Sequence, residues 1–216
     1  MDQLVGWMDA GLLPELIPTR QARSLRTVLA LLDAGKTLLH QRSLEELSVE
    51  ALCAEAGATV GSFYGRFESK HAFFVTMQRI HVIRAREFLP ELEAQLLKDV
   101  SSLERLCQGV VKITVNRFRD DLGVLRASLQ HCREGMWEPL RRLGEEYRAV
   151  VTAQIAPHLE HLPPKTRELR VRFGFQALTG TLVHAVLNNP GPLGLDDDRL
   201  VGELSRLLHS YMEAPL

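Results

Sequence analysis

Residues 48–70 of this 216-residue chain read SVEALCAEAGATVGSFYGRFESK, and this stretch decides the fold. Ser48 and Thr59 each stand where a helix N-cap is expected, and Ser69 precedes a third helical stretch. Gly57 can adopt the positive φ angle that ends a helix. We therefore expect short helices over 49–56 and 60–67. Two short helices joined by a tight turn are typical of a helix-turn-helix, a motif whose second helix enters the major groove of DNA.

The helix expected over 60–67 has two different faces at 100° per residue. One face, an arc of roughly 100°, carries the large apolar side chains Val60, Phe63, Tyr64 and Phe67. The opposite face carries small residues and one cation, namely Gly61, Ser62, Gly65 and Arg66. Two glycines in so short a helix cost about 1 kcal/mol each relative to alanine, and close approach to a ligand is the usual reason for such a cost. The spacing alone leaves open an irregular loop with Arg66 as a solvated charge.

The segment from Gly57 to Phe73, GATVGSFYGRFESKHAF, resembles the signature of the TetR family of transcriptional regulators. The residues in register with that signature are Gly57, Gly61, Tyr64, Phe67, Ser69 and Lys70. The resemblance covers about residues 20–80. The departures are Ser43, Leu47, Ala58 and His71, where the family usually has glycine, threonine, valine and glutamate, together with Cys53 in place of a small alanine. Each departure is a packing or loop change that removes no phosphate contact.

The resemblance implies a set of residues that contact double-stranded DNA. Ser48 and Thr59 would cap their helices and donate to phosphates. Tyr64 would pack its ring inward and direct its hydroxyl to the DNA backbone, and Lys70 would neutralise a phosphate. The positions that would face the groove are Val60, Gly61, Ser62, Gly65 and Arg66. Of these, Ser62 and Arg66 offer side-chain hydrogen bonds, Val60 offers contact with a thymine methyl, and DNA shape would supply part of the specificity.

Apolar residues recur at three- and four-residue spacing along the rest of the chain, so we expect an all-α protein of about nine helices. A first helix is expected over 20–42. Later helices are expected to break near Pro90 and near 120–123, 131–135, 161–164 and 188–198. We expect an N-terminal arm (1–19), a helix-turn-helix DNA-binding domain (20–80), and an effector-binding and dimerisation domain (81–216). The arm is either an ordered helix or a loose segment, and Trp7 suggests that it docks.

The last two helices, about 164–188 and 197–212, carry broad apolar faces together with small residues. The family resemblance implies that they form the interface of a homodimer. An intramolecular core is the alternative. A dimer suits DNA binding because two recognition helices then meet successive major grooves of a palindromic site.

The resemblance also implies a pocket for a small, largely apolar effector that releases a repressor from its operator. The candidate lining residues are Cys107, Thr114, Phe118, His131, Trp137, Tyr147 and Phe173. For each of them a role in the core is the alternative. An alternative for the whole chain is a helical ligand-binding or interaction protein of the same fold that does not bind an operator.

Composition and motifs argue against membrane proteins, exported proteins and enzymes. The net charge is −1, although residues 19–80 carry eight basic and six acidic residues. No apolar run reaches the roughly 20 residues that cross a bilayer, and the N-terminus lacks a basic signal-peptide region, so we expect a cytoplasmic protein. Three scattered cysteines indicate reduced thiols. No HExxH, GxSxG, P-loop or GxGxxG motif is present, so we expect no enzyme, metal or cofactor.

Overall fold

The computed structural model describes residues 1–98, 101–188 and 191–215, and these residues form ten α-helices and no named strand. The helices are α1 (Asp2–Asp9), α2 (Ala22–Gln41), α3 (Val49–Glu55), α4 (Val60–Tyr64), α5 (Lys70–Lys98), α6 (Leu103–Asp120), α7 (Leu122–Gln130), α8 (Glu138–Ile155), α9 (Pro164–Asn188) and α10 (Arg199–Glu213). Short 3-10 turns follow α7 and α8, at Cys132–Glu134 and Ala156–Leu159. The predicted all-α class is confirmed.

Most of the predicted helix ends agree with the structure within two or three residues. The exceptions are α4, which ends at Tyr64 instead of Phe67, and α5, which was expected to break near Pro90 but continues to Lys98. A proline inside a helix removes one N–H and costs about 3 kcal/mol. Leu92 and Leu96, which follow Pro90, are fully buried. We attribute the continuation of α5 to the packing of these two side chains.

Packing divides the chain into two compact units, and the division differs from the predicted boundary at residue 80. The first unit comprises Met1–Arg84 and Asp121–Pro139, and the second comprises Ala85–Asp120 and Leu140–Leu216. The difference arises because α7, which lies far along the chain, packs on α2. The N-terminal residues also belong to the first unit, where α1 and its following segment bury Leu4, Trp7, Leu13 and Leu16.

The junction of α7 with α2 explains why α7 joins the first unit. A Cβ placed on Gly123 would lie 2.6 Å from the carbonyl carbon of Leu39, so only glycine allows the two backbones to approach this closely. Arg126 Nη2 donates to the carbonyls of Leu39 and His40 at 3.0 and 2.7 Å. These bonds satisfy carbonyls that the end of α2 leaves without helical partners.

A buried side chain connects α7 to α5 within the same unit. Gln78 is 3% exposed. Its Nε2 donates to Ser128 Oγ at 2.7 Å and to the carbonyl of Met136 at 2.6 Å. Ser128 Oγ in turn donates to the carbonyl of Val124 within α7. Buried amide donors must find acceptors, so these bonds fix α7 and its following turn against α5.

In the second unit, α10 packs against α6 and α9. The α9–α10 contact depends on Gly174, since a Cβ there would lie 2.6 Å from Met212 Cε. Buried Arg170 donates from Nη1 to the carbonyls of Met212 and Ala214 and so caps the end of α10. One of the small residues predicted for a dimer interface therefore serves packing inside the protomer.

None of the helices in the described ranges is both long enough and apolar enough to cross a bilayer.

Replacing Gly123 with alanine should destabilise the first unit. The added Cβ meets the backbone of Leu39, which cannot move aside as a flexible side chain can. Overpacking of this kind costs about 1–3 kcal/mol. We expect Gly123→Ala to lower the midpoint of thermal unfolding followed by circular dichroism. Gly144→Ala is the matched control, because a Cβ at Gly144 on α8 meets nothing within 4 Å. A Gly123→Ala midpoint at or above that of the wild type would contradict this packing.

Candidate nucleic-acid interface

Both short helices of residues 48–70 begin with the predicted side-chain caps. Ser48 Oγ accepts a hydrogen bond from Ala51 N at 3.0 Å. Thr59 Oγ1 accepts from Ser62 N at 3.1 Å. Gly57, in the turn between the helices, has φ of +60°. The turn therefore has the geometry expected from its sequence.

Ser62 completes a capping box at the start of α4. Its Oγ accepts from Thr59 N at 3.0 Å and lies 2.7 Å from the carbonyl of Thr59, to which it donates. The single hydroxyl hydrogen of Ser62 is thus already engaged. Thr59 Oγ1 also lies 3.0 Å from Ser62 Oγ, and because the hydrogen of Ser62 is engaged, Thr59 is the donor in this pair. Ser48 Oγ accepts from Ala51 N and keeps its own hydrogen, and both Ser48 and Thr59 are exposed.

The two faces of α4 differ sharply in exposure. Phe63 and Phe67 are fully buried. Their rings meet each other and Phe73 of α5 at centroid distances of 5.1 to 5.7 Å. Gly61 and Gly65 are exposed on the other face. The short helix thus lies on an aromatic cluster and presents nearly bare backbone outward.

The ring of Tyr64 does not pack inward as the family resemblance implied, whereas Val60 is accessible as a groove-facing residue requires. Tyr64 is 52% exposed and Val60 is 37% exposed. The ring of Tyr64 makes one edge contact, with Phe63 at 5.3 Å between centroids and 87° between planes. The reason is the length of α4, since Val60 and Tyr64 are its first and last residues and no further helical turn covers them. Both side chains are consequently accessible from solvent.

Arg66 connects the end of α4 to the start of α2. Its Nη2 donates to Ser24 Oγ at 2.9 Å, and its side chain is half-buried. The contact places the first turn of α2 beside α4. Arg20 and Arg23, which sequence analysis did not select, are exposed at this end of α2. Basic residues near a helix start were a weak signal in the sequence, because the Arg66–Ser24 contact that relates this start to α4 joins residues 42 positions apart.

The predicted phosphate contact of Lys70 conflicts with the bonds that its ammonium makes. Lys70 Nζ donates to the carbonyls of Leu44 and Leu47, both at 2.8 Å, and to that of Glu45 at 3.3 Å. An ammonium has three hydrogens, and all three are used in this arrangement. Lys70 therefore fixes the 44–47 segment, which leads into α3, against the start of α5.

The candidate effector residues are divided between the two units. Thr114 and Tyr147 meet in the second unit, where Thr114 Oγ1 donates to the carbonyl of Val110 and so accepts from Tyr147 OH at 2.9 Å. Burial raises the pKa of Tyr147 to about 12. Cys107 is fully buried on α6, and Phe118 lies half-buried further along it. The Tyr147 ring also lies 5.5 Å from that of Phe175, which sequence analysis did not select.

Three of the candidate effector residues lie away from that interior. Phe173 is 48% exposed on α9 and pairs with Tyr211 at 5.6 Å between ring centroids, so it lies outside the interior of the second unit. His131 and Trp137 belong to the first unit. His131 Nε2 lies 3.0 Å from Glu45 Oε1. An open groove of about 630 Å³ between α6 and α10 is lined by none of the predicted residues.

The buried thiols are held in their protonated state. Burial raises the pKa of Cys107 to about 12 and also raises that of Cys53. A protonated thiol is a poor nucleophile and a poor metal ligand. Within the described ranges, no three His, Cys, Asp or Glu side chains are grouped so that they could hold a metal ion.

Comparisons with known proteins define the class. A family model described as bacterial regulatory proteins, tetR family, matches residues 31–77. A second, described as Tetracyclin repressor-like, C-terminal domain, matches residues 102–212. Residues 1–30 lie outside both matches. A search of curated proteins returned no match.

Solved structures of low sequence identity share the fold. A tetR-family transcriptional regulator from Streptomyces coelicolor has a TM-score of 0.59 at 18% identity, covering 86% of this chain and 78% of that one. A putative transcriptional regulator from Pseudomonas aeruginosa PAO1 has a TM-score of 0.58 at 17% identity, covering 90% and 91%. FadR from Bacillus subtilis, in complex with stearoyl-CoA, has a TM-score of 0.59 at 14% identity, covering 87% and 99%.

The family matches and the capped helix-turn-helix define a DNA-binding transcriptional regulator with a C-terminal domain like that of the tetracycline repressor. The chain belongs to the TetR family, since the C-terminal family model alone spans more than half of it.

Removing the ammonium of Lys70 should destabilise the first unit. Lys70→Met keeps the aliphatic stem but leaves three carbonyls without their donor. Such a loss costs about 1–3 kcal/mol. We expect a lower midpoint of thermal unfolding than in the control Lys165→Met, which removes an exposed lysine at the start of α9. Equal midpoints for the two variants would show that Lys70 contributes little to this segment and would restore its ammonium as a phosphate ligand.

Proposed function

We propose that the protein is a homodimeric repressor that binds a palindromic operator through α4 and is released by a small, largely apolar effector. The observation that carries this proposal is the presentation of α4, in which Phe63 and Phe67 are buried while Val60, Gly61, Tyr64 and Gly65 are exposed. A backbone bare of side chains on its outer face can approach a duplex closely. The exposed residues then meet base edges in the major groove.

Phosphate contacts are assigned to the two cap residues. Ser48 Oγ accepts a backbone hydrogen bond and keeps a hydroxyl hydrogen for a phosphate oxygen, whereas the Thr59 hydroxyl would turn from Ser62 Oγ to reach a phosphate. Arg20 and Arg23 would extend this contact to the start of α2, which packs on α4 and meets it at the Arg66–Ser24 bond. We assign Lys70 a positioning role instead of a phosphate contact.

Base contacts are assigned to Val60, Tyr64 and Arg66. Val60 offers methyl groups to thymine, and the exposed Tyr64 hydroxyl can donate or accept. One N–H of Arg66 binds Ser24, which leaves four for DNA. The hydroxyl of Ser62 is occupied by the capping box, so we no longer assign it to base recognition. With few side chains directed at the groove, DNA shape would supply part of the specificity.

Dimerisation is assigned to the outer faces of α9 and α10. Leu169, Phe173, Gly180 and Leu187 follow one stripe on α9, at spacings of four, seven and seven residues. The three apolar side chains are 65%, 48% and 43% exposed, and a Cβ on Gly180 would meet nothing within 4 Å. Leu207 on α10 is 55% exposed. A self-complementary apolar stripe of this kind fits a second copy related by two-fold symmetry.

The effector would bind in the interior of the second unit near Thr114 and Tyr147. Fully buried Val110, Val111 and Leu106 make the surroundings apolar, and the two hydroxyls supply polar groups. Such a combination is typical of small-molecule sites. The Bacillus subtilis structure of the same fold contains stearoyl-CoA, a ligand with a long apolar chain. The apolar surroundings in this chain support a ligand of similar apolar character.

Substitutions of Arg66 and Tyr64 should distinguish the contribution of charge to DNA affinity from that of hydrogen bonding. We expect Arg66→Met to weaken binding to a duplex selected by the wild type, by about 1–3 kcal/mol, and to reduce the salt slope of log affinity by about 1. Tyr64→Phe should weaken binding without changing that slope, since no charge is removed. Fluorescence anisotropy across a salt series measures both quantities.

Ser24→Ala is the matched control for Arg66→Met. It breaks the Arg66–Ser24 bond but keeps the guanidinium, and α2 keeps its other contacts with α4, so the salt slope should stay at its wild-type value. If Arg66→Met and Tyr64→Phe both bound the selected duplex with wild-type affinity, α4 would not be the recognition helix.

A charge placed on the α9 stripe should dissociate the dimer. Phe173→Glu buries a carboxylate in the proposed interface, where an unpaired charge costs several kcal/mol. Leu97→Glu is the control, because Leu97 is 52% exposed on α5 and lies off the stripe. We expect sedimentation velocity to show a monomer for Phe173→Glu and a dimer for the wild type and for Leu97→Glu. A dimer in all three would place the interface elsewhere.

A further inference from the structure

The recognition helix α4 depends on other parts of the first unit for its orientation. It has five residues, including Gly61, and its C-cap is Gly65. An isolated helix of this length is unstable in water, because one turn cannot offset the cost of nucleation. The direction in which α4 points is therefore set by the chain that packs around it, and above all by what holds its two ends.

The N-terminal segment holds one of those ends. Leu16 pairs with Phe67 in an antiparallel bridge, and Ile17 N donates to the carbonyl of Arg66 at 2.9 Å. Leu16 is 1% exposed. Arg66 and Phe67 are the second and third residues beyond the end of α4. The segment thus binds the backbone of a residue, Arg66, that we assign to DNA contact.

The same segment is fixed at its other side to α5. The carboxylate of Glu15 accepts from Arg79 Nε at 2.7 Å and from Nη2 at 2.8 Å, which is a bidentate ion pair. Trp7 is 7% exposed, and the guanidinium carbon of Arg84 lies 5.7 Å from the centroid of its ring. Leu4 and Leu13 are also buried. The segment therefore spans from α5 to the end of α4.

We propose that residues 4–17 act as an intramolecular brace that sets the orientation of α4 for operator recognition, with Leu16 and Ile17 as its positioning residues. This role of residues 4–17 depends on the proposed DNA-binding function and adds to it. It lies before the part of the chain that the family models match. It acts through Arg66 and Phe67, and its own residues make no contact with bases.

The test measures operator specificity in the intact 216-residue chain. The wild type first selects a duplex from a random pool, and affinity is then measured for that duplex and for a scrambled duplex of the same length. Partial unfolding lowers both affinities in proportion and leaves their ratio unchanged. A misoriented α4 lowers only the affinity for the selected duplex. The ratio therefore separates positioning from stability.

Ile17→Pro and Ile17→Ala form the matched pair. Proline removes the N–H that donates to Arg66, whereas alanine keeps it. Leu16 already takes part in a β-bridge, and a residue before proline favours the β region. We expect Ile17→Pro to lower the specificity ratio about tenfold relative to Ile17→Ala, which corresponds to the loss of one base contact. Leu16→Ala should lower it similarly relative to Leu12→Ala, whose side chain is 43% exposed.

The outcomes distinguish the two proposals. Equal ratios for Ile17→Pro and Ile17→Ala, together with equal ratios for Leu16→Ala and Leu12→Ala, would overturn the brace while leaving DNA binding intact. A wild type that selects no duplex would overturn the DNA-binding function, and the brace with it. If Leu16→Ala fails to fold, the Ile17 pair decides the question alone, because its side chain is partly exposed and only one hydrogen bond changes.

Discussion

The burial of three phenyl rings, Phe63, Phe67 and Phe73, is the constraint on which the rest of the structure depends. A five-residue helix with a glycine inside it has little stability of its own. The rings lie within 5.7 Å of one another, and burial of each contributes about 1.5–3 kcal/mol. Because Phe63 and Phe67 are four residues apart, their burial leaves Gly61 and Gly65 on the opposite, exposed face. The apolar side of α4 therefore determines which face of the helix is exposed and can meet DNA.

Polar contacts around this cluster hold the neighbouring segments in place. Lys70 satisfies carbonyls before α3, and Arg126 does the same at the end of α2. Gln78 joins α5 to α7 through buried hydrogen bonds. Each donor satisfies backbone or hydroxyl oxygens that would otherwise lack partners near the core. The first unit consequently includes α7 and the N-terminal segment as well as the helix-turn-helix.

Local patterns predicted much of the fold, and contacts between distant residues account for what they missed. Ser48, Gly57, Thr59 and Ser69 act within three residues of themselves, so their caps and turn could be read directly from the sequence. The occupied ammonium of Lys70 depends on carbonyls more than 20 residues away. The place of α7 depends on Gly123 meeting Leu39. No periodicity encodes such pairs, although the spacing of Leu4, Trp7, Leu13 and Leu16 was a signal for a docked N-terminal segment.

The most direct test of the account is amide hydrogen exchange across residues 48–70, followed by mass spectrometry with and without a duplex selected by the protein. In free protein, the amide of Phe67 should exchange slowly, because it donates to Phe63 within the buried cluster. With DNA, new protection should appear in Ser48–Ala51 and in Thr59–Arg66. Protection by the duplex at other sites, with none in Thr59–Arg66, would contradict the assignment of α4 as the surface that meets DNA.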